Sequence, residues 1–118
     1  IETDNRIGAY LNVQCAYAVS GAQYWGRALK LNDRWLQVNT ASVIPGMGVR
    51  TRVDLTLELD GVRRPVSLHG VISKKQMAPP GSSYKASLGI RYNSIDEGES
   101  PGLLAVWLRQ HLAERAGS

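Results

Sequence analysis

Basic and aromatic side chains crowd the stretch Lys30-Leu31-Asn32-Asp33-Arg34-Trp35 and its surroundings. Trp25 and Arg27 lie just upstream, Arg50 and Arg52 downstream, and a further arginine sits at Arg6. An arginine fork matches the paired oxygens of a carboxylate or phosphate and also stacks on flat rings. Lys30, Arg34, Arg50 and Arg52 are therefore candidates to converge on an anion. Trp25, Arg27, Arg34 and Trp35 form a second candidate group, because tryptophan and arginine dominate the energetics of protein interfaces. Both chemistries are recognition rather than bond making. A plainer reading stands beside each: a basic residue on a strand usually faces water, Arg6 near a terminus can be a solvated charge, and a tryptophan can plug the mouth of a barrel.

Signals for catalysis are weak. The chain has no nucleophile elbow, no phosphate-cradling Gly-rich loop leading into a helix, and no paired metal ligands. His69 and His111 have no carboxylate or cysteine at ligand spacing and read as structural, with no metal expected. Cys15 reads as a small buried hydrophobe. Trp107 reads as core. The protein is expected to be non-enzymatic and to need no cofactor.

The elements that must carry these residues are mostly strands. Arg52-Val53-Asp54-Leu55-Thr56-Leu57-Glu58-Leu59 alternates without a fault, which predicts a half-buried strand with Val53, Leu55, Leu57 and Leu59 inward. Asp60-Gly61 tolerates the positive φ angles of a tight hairpin. Pro65 then opens the next strand, Val66 to Ser73, and Gln76 to Ser83 is expected to be a loop. Residues 84–92 alternate again. Upstream, Tyr10 to Tyr17, Gly26 to Leu31 and Trp35 to Asn39 read as shorter strands. Only the C-terminus changes period. Ser100-Pro101 predicts a helix start, and Leu104, Trp107, Leu108, His111 and Leu112 recur at helical spacing. Asp96, Glu97 and Glu99 before the start, with Arg109 and Arg115 towards the end, suit the helix dipole. The expectation is a mainly β domain: about six antiparallel strands in a closed or nearly closed barrel, with one C-terminal helix packed on it.

Composition sets the remaining bounds. At 118 residues, with 43% hydrophobic and 20% charged, the chain reads as one domain, residues 1–118, with an ordinary globular core. The net charge of +4 favours anionic partners but is too diffuse to name one. A single cysteine rules out an internal disulfide and suits a reducing compartment. No apolar run approaches the roughly 20 residues of a membrane span, and no signal peptide is visible. A cytoplasmic domain is expected, with residues missing in front of Ile1.

The order of these pieces resembles the PilZ domain over nearly the whole chain. The pieces are Asn5-Arg6 before the first strand, the strand–turn–strand at Leu29 to Val38, Pro45-Gly46-Met47-Gly48-Val49 opening the long hairpin, and Leu88-Gly89-Ile90-Arg91-Tyr92 before the helix. The resemblance implies a six-stranded barrel with a C-terminal helix, and a bacterial regulator of motility, pili, polarity or surface polysaccharide. Family members that bind cyclic di-GMP use two arginines separated by three residues. They also use an Asp or Asn, a Ser two residues on and a Gly three further. Here Arg6 matches the first arginine, but Tyr10 stands at the second. Lys30, Asn32 and Trp35 stand where the acid, the serine and the glycine would be. Lysine for an acid turns an acceptor into a donor, and an indole for a glycine fills the space through which a flat base approaches.

These replacements argue against ordinary cyclic di-GMP binding. The expected role is a PilZ-like module acting by protein–protein contact with a bacterial regulatory or motility protein, with Trp25, Arg27, Arg34 and Trp35 as the contact group. The alternative is a receptor for cyclic di-GMP or another anion in a rearranged site around Arg6. A third reading, a nucleic-acid-binding barrel, is weakened by the acids interleaved in the same strands.

Overall fold

The computed structural model describes residues 9–41, 46–98 and 101–117, with side chains as far as His111. Arg6, Pro45, Glu99 and Ser100, and the side chains of Leu112 and Arg115, lie outside the described residues.

Six strands close into an antiparallel barrel: β1 Ala9–Val19, β2 Ala22–Leu31, β3 Trp35–Thr40, β4 Arg50–Leu59, β5 Val62–Met77 and β6 Ala86–Asp96. Around the barrel the order is β1-β2-β3-β6-β5-β4, and β4 closes on β1 through Ala16↔Asp54, Tyr17↔Val53 and Ala18↔Arg52. A helix, α1 (Leu103–Gly117), follows. This is the architecture expected from the alternation and the terminal change of period.

Inward positions follow the period of two. Val53, Leu55 and Leu57 are buried from β4, Leu36 and Val38 from β3, and Leu88 and Ile90 from β6. Each such side chain contributes roughly 1.5–3 kcal/mol by leaving water, so this shared interior sets every register. Within it the Tyr17 hydroxyl and Thr40 Oγ1 are hydrogen bonded at 2.6 Å. Two tight turns hold the hairpins. Asp60 (φ 53°) and Gly61 (φ 80°) join β4 to β5, and Ser20 (φ 53°) and Gly21 (φ 81°) join β1 to β2. Positive φ at both central residues matches the right-handed twist of the flanking strands.

Several predicted boundaries move. β2 starts at Ala22 rather than Gly26, and β6 runs from Ala86 to Asp96 rather than from Tyr84 to Tyr92. The larger correction concerns β5, which begins four residues before Val66 and continues to Met77. Pro65 is therefore inside the strand, opposite Thr56. Pairing between β5 and β6 starts only at Ser67, so among the described residues no strand pairs with one side of β5 around Pro65, and its missing N–H need not break a ladder bond. Gln76 and Met77, expected in a loop, pair with Ser87 and Ala86.

The helix begins at Leu103, after a turn at Pro101-Gly102, and buries Leu103, Leu104, Trp107 and Leu108. Its free N–H groups meet the Glu97 carboxylate, which accepts from Gly102 N at 2.9 Å and from Leu104 N at 2.6 Å. A carboxylate at this end also suits the helix dipole. His111 stacks on Trp107 with ring centroids 4.0 Å apart, and its Nδ1 lies 2.8 Å from the Trp107 carbonyl oxygen.

Candidate functional site

The β2–β3 turn, where the motif positions fall, is built around Asn32. Its side chain is buried, 5% exposed, and Oδ1 accepts from the backbone N–H of Arg34 (2.7 Å) and Trp35 (2.8 Å). The Asn32 N–H donates to the Trp35 carbonyl at 3.0 Å, and its carbonyl accepts from the Tyr92 hydroxyl. A short amide side chain satisfying backbone donors two and three residues on is a standard way to fold such a turn. Asn32 therefore faces inward and supports the turn.

Tyr10 and Lys30 are register partners on β1 and β2. The Lys30 ammonium lies 5.1 Å from the Tyr10 ring centroid, within cation–π range, while the ring is 61% exposed. The two replaced positions pack on one another. Trp35 is half-buried, and its buried indole Nε1 has no hydrogen-bond partner among the described residues.

The contact group expected from sequence is divided. Trp25 lies two residues beyond the Arg27↔Asn39 pair, and Trp35 four residues before it. At ~3.3 Å per residue this places the two tryptophans roughly 20 Å apart along the barrel wall. Trp25 is 59% exposed, so it does not plug the interior. Arg27 braces an irregularity in β1: Asn12 has φ 49°, and Arg27 Nη1 donates to its carbonyl at 3.0 Å. Arg34 and Trp35 belong to the other end.

There they line an open trough of about 800 Å³ on the outer wall, across β3, β6 and β5. The outward residues form rows set by the register: Trp35 beside Arg91, then Gln37–Gly89–Lys74, then Asn39–Ser87–Gln76. Gly89 is the floor. A Cβ there would come within 3.0 Å of Lys74 Cβ, so the lysine stem lies directly over the glycine. Gln37 Nε2 donates to Ser87 Oγ at 3.0 Å, and Met47 stands at the rim. Among the described residues the charged lining residues are Arg34, Lys74, Lys75 and Arg91, with no acid. Neither Lys74 nor Lys75 belonged to the group expected from sequence; β5 brings them in by running past Ser73.

Arg50 and Arg52 lie elsewhere, beside His69 and Asn93 in a second, shallower hollow. Arg52 Nε is 3.0 Å from Asp54 Oδ1, and Asp54 also accepts from Ser67 Oγ. The four basic residues proposed to converge therefore do not: Lys30 faces Tyr10, Arg34 joins the trough, and Arg50 and Arg52 sit on another face. Cys15 is buried, and burial pushes its thiol up to about 12 despite the lowering effect of nearby backbone groups and Arg27. Among the described residues no three His, Cys, Asp or Glu side chains cluster as metal ligands, and no helix is long and apolar enough to cross a membrane.

No family model and no curated protein matches the sequence. Among solved structures, the chain is similar to the Bacillus subtilis inhibitor of motility, MotI/DgrA, with a TM-score of 0.75 over 95% of this chain and 12% identity. The likeness is one of fold. This chain spans about half of that one, 51% of its length.

Proposed function

We propose that this protein is a PilZ-like regulatory domain that works by contact with another protein rather than by catalysis or by standard cyclic di-GMP binding. The observation that carries the reading is the engagement of the four replaced motif positions within the fold. Lys30 lies over Tyr10, Asn32 holds the β2–β3 turn, and Trp35 fills space where relatives have glycine. The likeness in fold to a motility inhibitor supports a bacterial regulatory role, with a regulatory or motility protein as partner; the cytoplasm is the place this reading assigns it. Trp35 and Arg34, on the trough, are the contact residues of this reading; Trp25 and Arg27 serve a separate surface.

Calorimetry with cyclic di-GMP at modest salt tests the ligand half. No saturable heat is expected. Micromolar or tighter binding that disappears with Arg6→Ala would instead establish a receptor built around that arginine. Partner capture that is lost with Trp35→Ala, in a variant that still melts cooperatively, tests the contact half.

A further inference from the structure

Strand β5 outruns the barrel. Its pairing with β4 ends at Arg50↔Val71, extended by the exchange between Ile72 and the Gly48-Val49 backbone. Pairing with β6 continues to Met77↔Ala86. Ser73 to Met77 are all exposed, and among the described residues no strand pairs with the other edge of this stretch. An open strand edge carries unpaired N–H and C=O groups that accept an added strand. The overhang also supplies Ser73, Lys74, Lys75 and Gln76 to the basic trough.

We propose that the trough and the β5 overhang together dock an extended acidic segment of a partner protein, added as a strand along Ser73–Met77 with carboxylates on the trough face, at Lys74 and towards Arg91. This rests on the contact-regulator reading and specifies the chemistry of the partner.

Charge selects the sign, since among the described residues the trough is lined by cationic residues from the β2–β3 turn, β5 and β6 and by no acid. Magnitude selects a segment rather than a single carboxylate. An exposed ion pair is worth a factor of about five at most, whereas micromolar affinity is a factor of about a million, so several pairs must act together with main-chain bonds. Size agrees: Ser73 to Met77 along the open edge spans about 13 Å, the reach of four extended residues. A nucleotide would use the cations but leave the open edge unused, whereas a polypeptide uses both. The Arg50–Arg52 hollow has no such edge, because β4 and β5 are paired there.

The test uses the 118-residue chain and two fluorescein-labelled heptapeptides, Asp-Val-Glu-Ile-Asp-Thr-Glu and Lys-Val-Arg-Ile-Lys-Thr-Arg, followed by anisotropy. The acidic peptide is expected to bind saturably and to weaken several-fold when salt is raised from about 50 to about 300 mM. The double variant Lys74→Glu/Arg91→Glu is expected to lose about tenfold or more, while Arg64→Glu on the β4–β5 hairpin retains affinity. N-methylation of alternate peptide bonds is expected to abolish binding. The proposal is overturned if the acidic peptide fails to bind, as when Lys74 and Lys75 only guard the edge, or if the basic peptide binds equally. It is also overturned if the N-methylated peptide binds as well, if the double variant retains full affinity, or if a cyclic dinucleotide or short oligonucleotide competes equally on a charge basis. Partner capture repeated with the double variant separates the two claims. Capture that persists leaves the regulator reading standing and removes the trough; peptide binding without any capturable partner does the reverse.

Discussion

The Tyr92 hydroxyl donates to the backbone carbonyl of Asn32, joining β6 to the β2–β3 turn across 60 residues of sequence. Both groups are buried, and Asn32 in turn holds the N–H groups of Arg34 and Trp35. The orientation of the trough's upper end thus depends on a tyrosine in another strand.

Tyr92→Phe is expected to destabilise the fold by about 1–2 kcal/mol, since it leaves a buried carbonyl without its partner. Asn32→Ala, which orphans two backbone donors, is expected to cost about 2 kcal/mol or more. Urea unfolding measures both. Equal stability of Tyr92→Phe and the parent would show that water replaces the phenol at no cost.

Two glycines of neighbouring strands are expected to respond very differently to alanine. At Gly70 a Cβ would lie 2.2 Å from the Arg91 carbonyl oxygen and 2.5 Å from Tyr92 Cα, both backbone atoms at a β5–β6 register shift. Gly70→Ala must push strands apart and should cost about 3 kcal/mol or more. At Gly89 the added methyl meets Lys74 Cβ at 3.0 Å, a tight contact relieved by a small shift of the β5 overhang, whose far edge no strand among the described residues holds. Gly89→Ala should change stability by less than about 1 kcal/mol. Thermal melts of the two variants side by side decide the contrast.

Alkali should weaken the fold through the groups that burial holds neutral. Burial raises the Cys15 thiol from about 9 to about 12, and burial also raises Tyr17 and Tyr92. For an acid held neutral by the fold, the unfolded chain loses its proton first. Stability contributed by Cys15 is intact below its unfolded pKa near 9 and is lost as pH rises towards 12. The slope approaches about 1.4 kcal/mol per pH unit for one such group. Cys15→Ala should flatten the limb between about pH 9 and 10, before the tyrosines add theirs. Urea midpoints over that interval provide the measurement, and an unchanged slope would place the loss elsewhere.

The barrel and its helix were legible because alternation reports directly on which side of a strand is buried, and β4 carries that signal through Val53, Leu55 and Leu57. The ends of β5 were not. Lys74, Lys75 and Gln76 are exposed and lack an apolar beat, so periodicity falls silent there; pairing with Gly89, Leu88 and Ser87 keeps them in the sheet. The trough was missed for the same reason. Its members come from β3, β6 and β5, and adjacency between β3 and β6 is a property of barrel closure that local spacing does not carry. Trp25 and Trp35, close in sequence, were read as neighbours, but a hairpin strand carries them to opposite ends. The charge of Glu97 at the helix start is expected from the sequence, but its hydrogen bonds to the Gly102 and Leu104 N–H groups are not, because it acts from six residues before Leu103, outside the usual capping position.

The surplus length of β5 also bears on how such a domain can change. Ser73 to Met77 contribute no side chain to the interior, so replacing them should move stability by only about 0.5 kcal/mol either way. A lineage can rewrite that ledge, residue by residue, and acquire a new correspondent while Leu36, Val53 and Ile90 keep the same barrel shut.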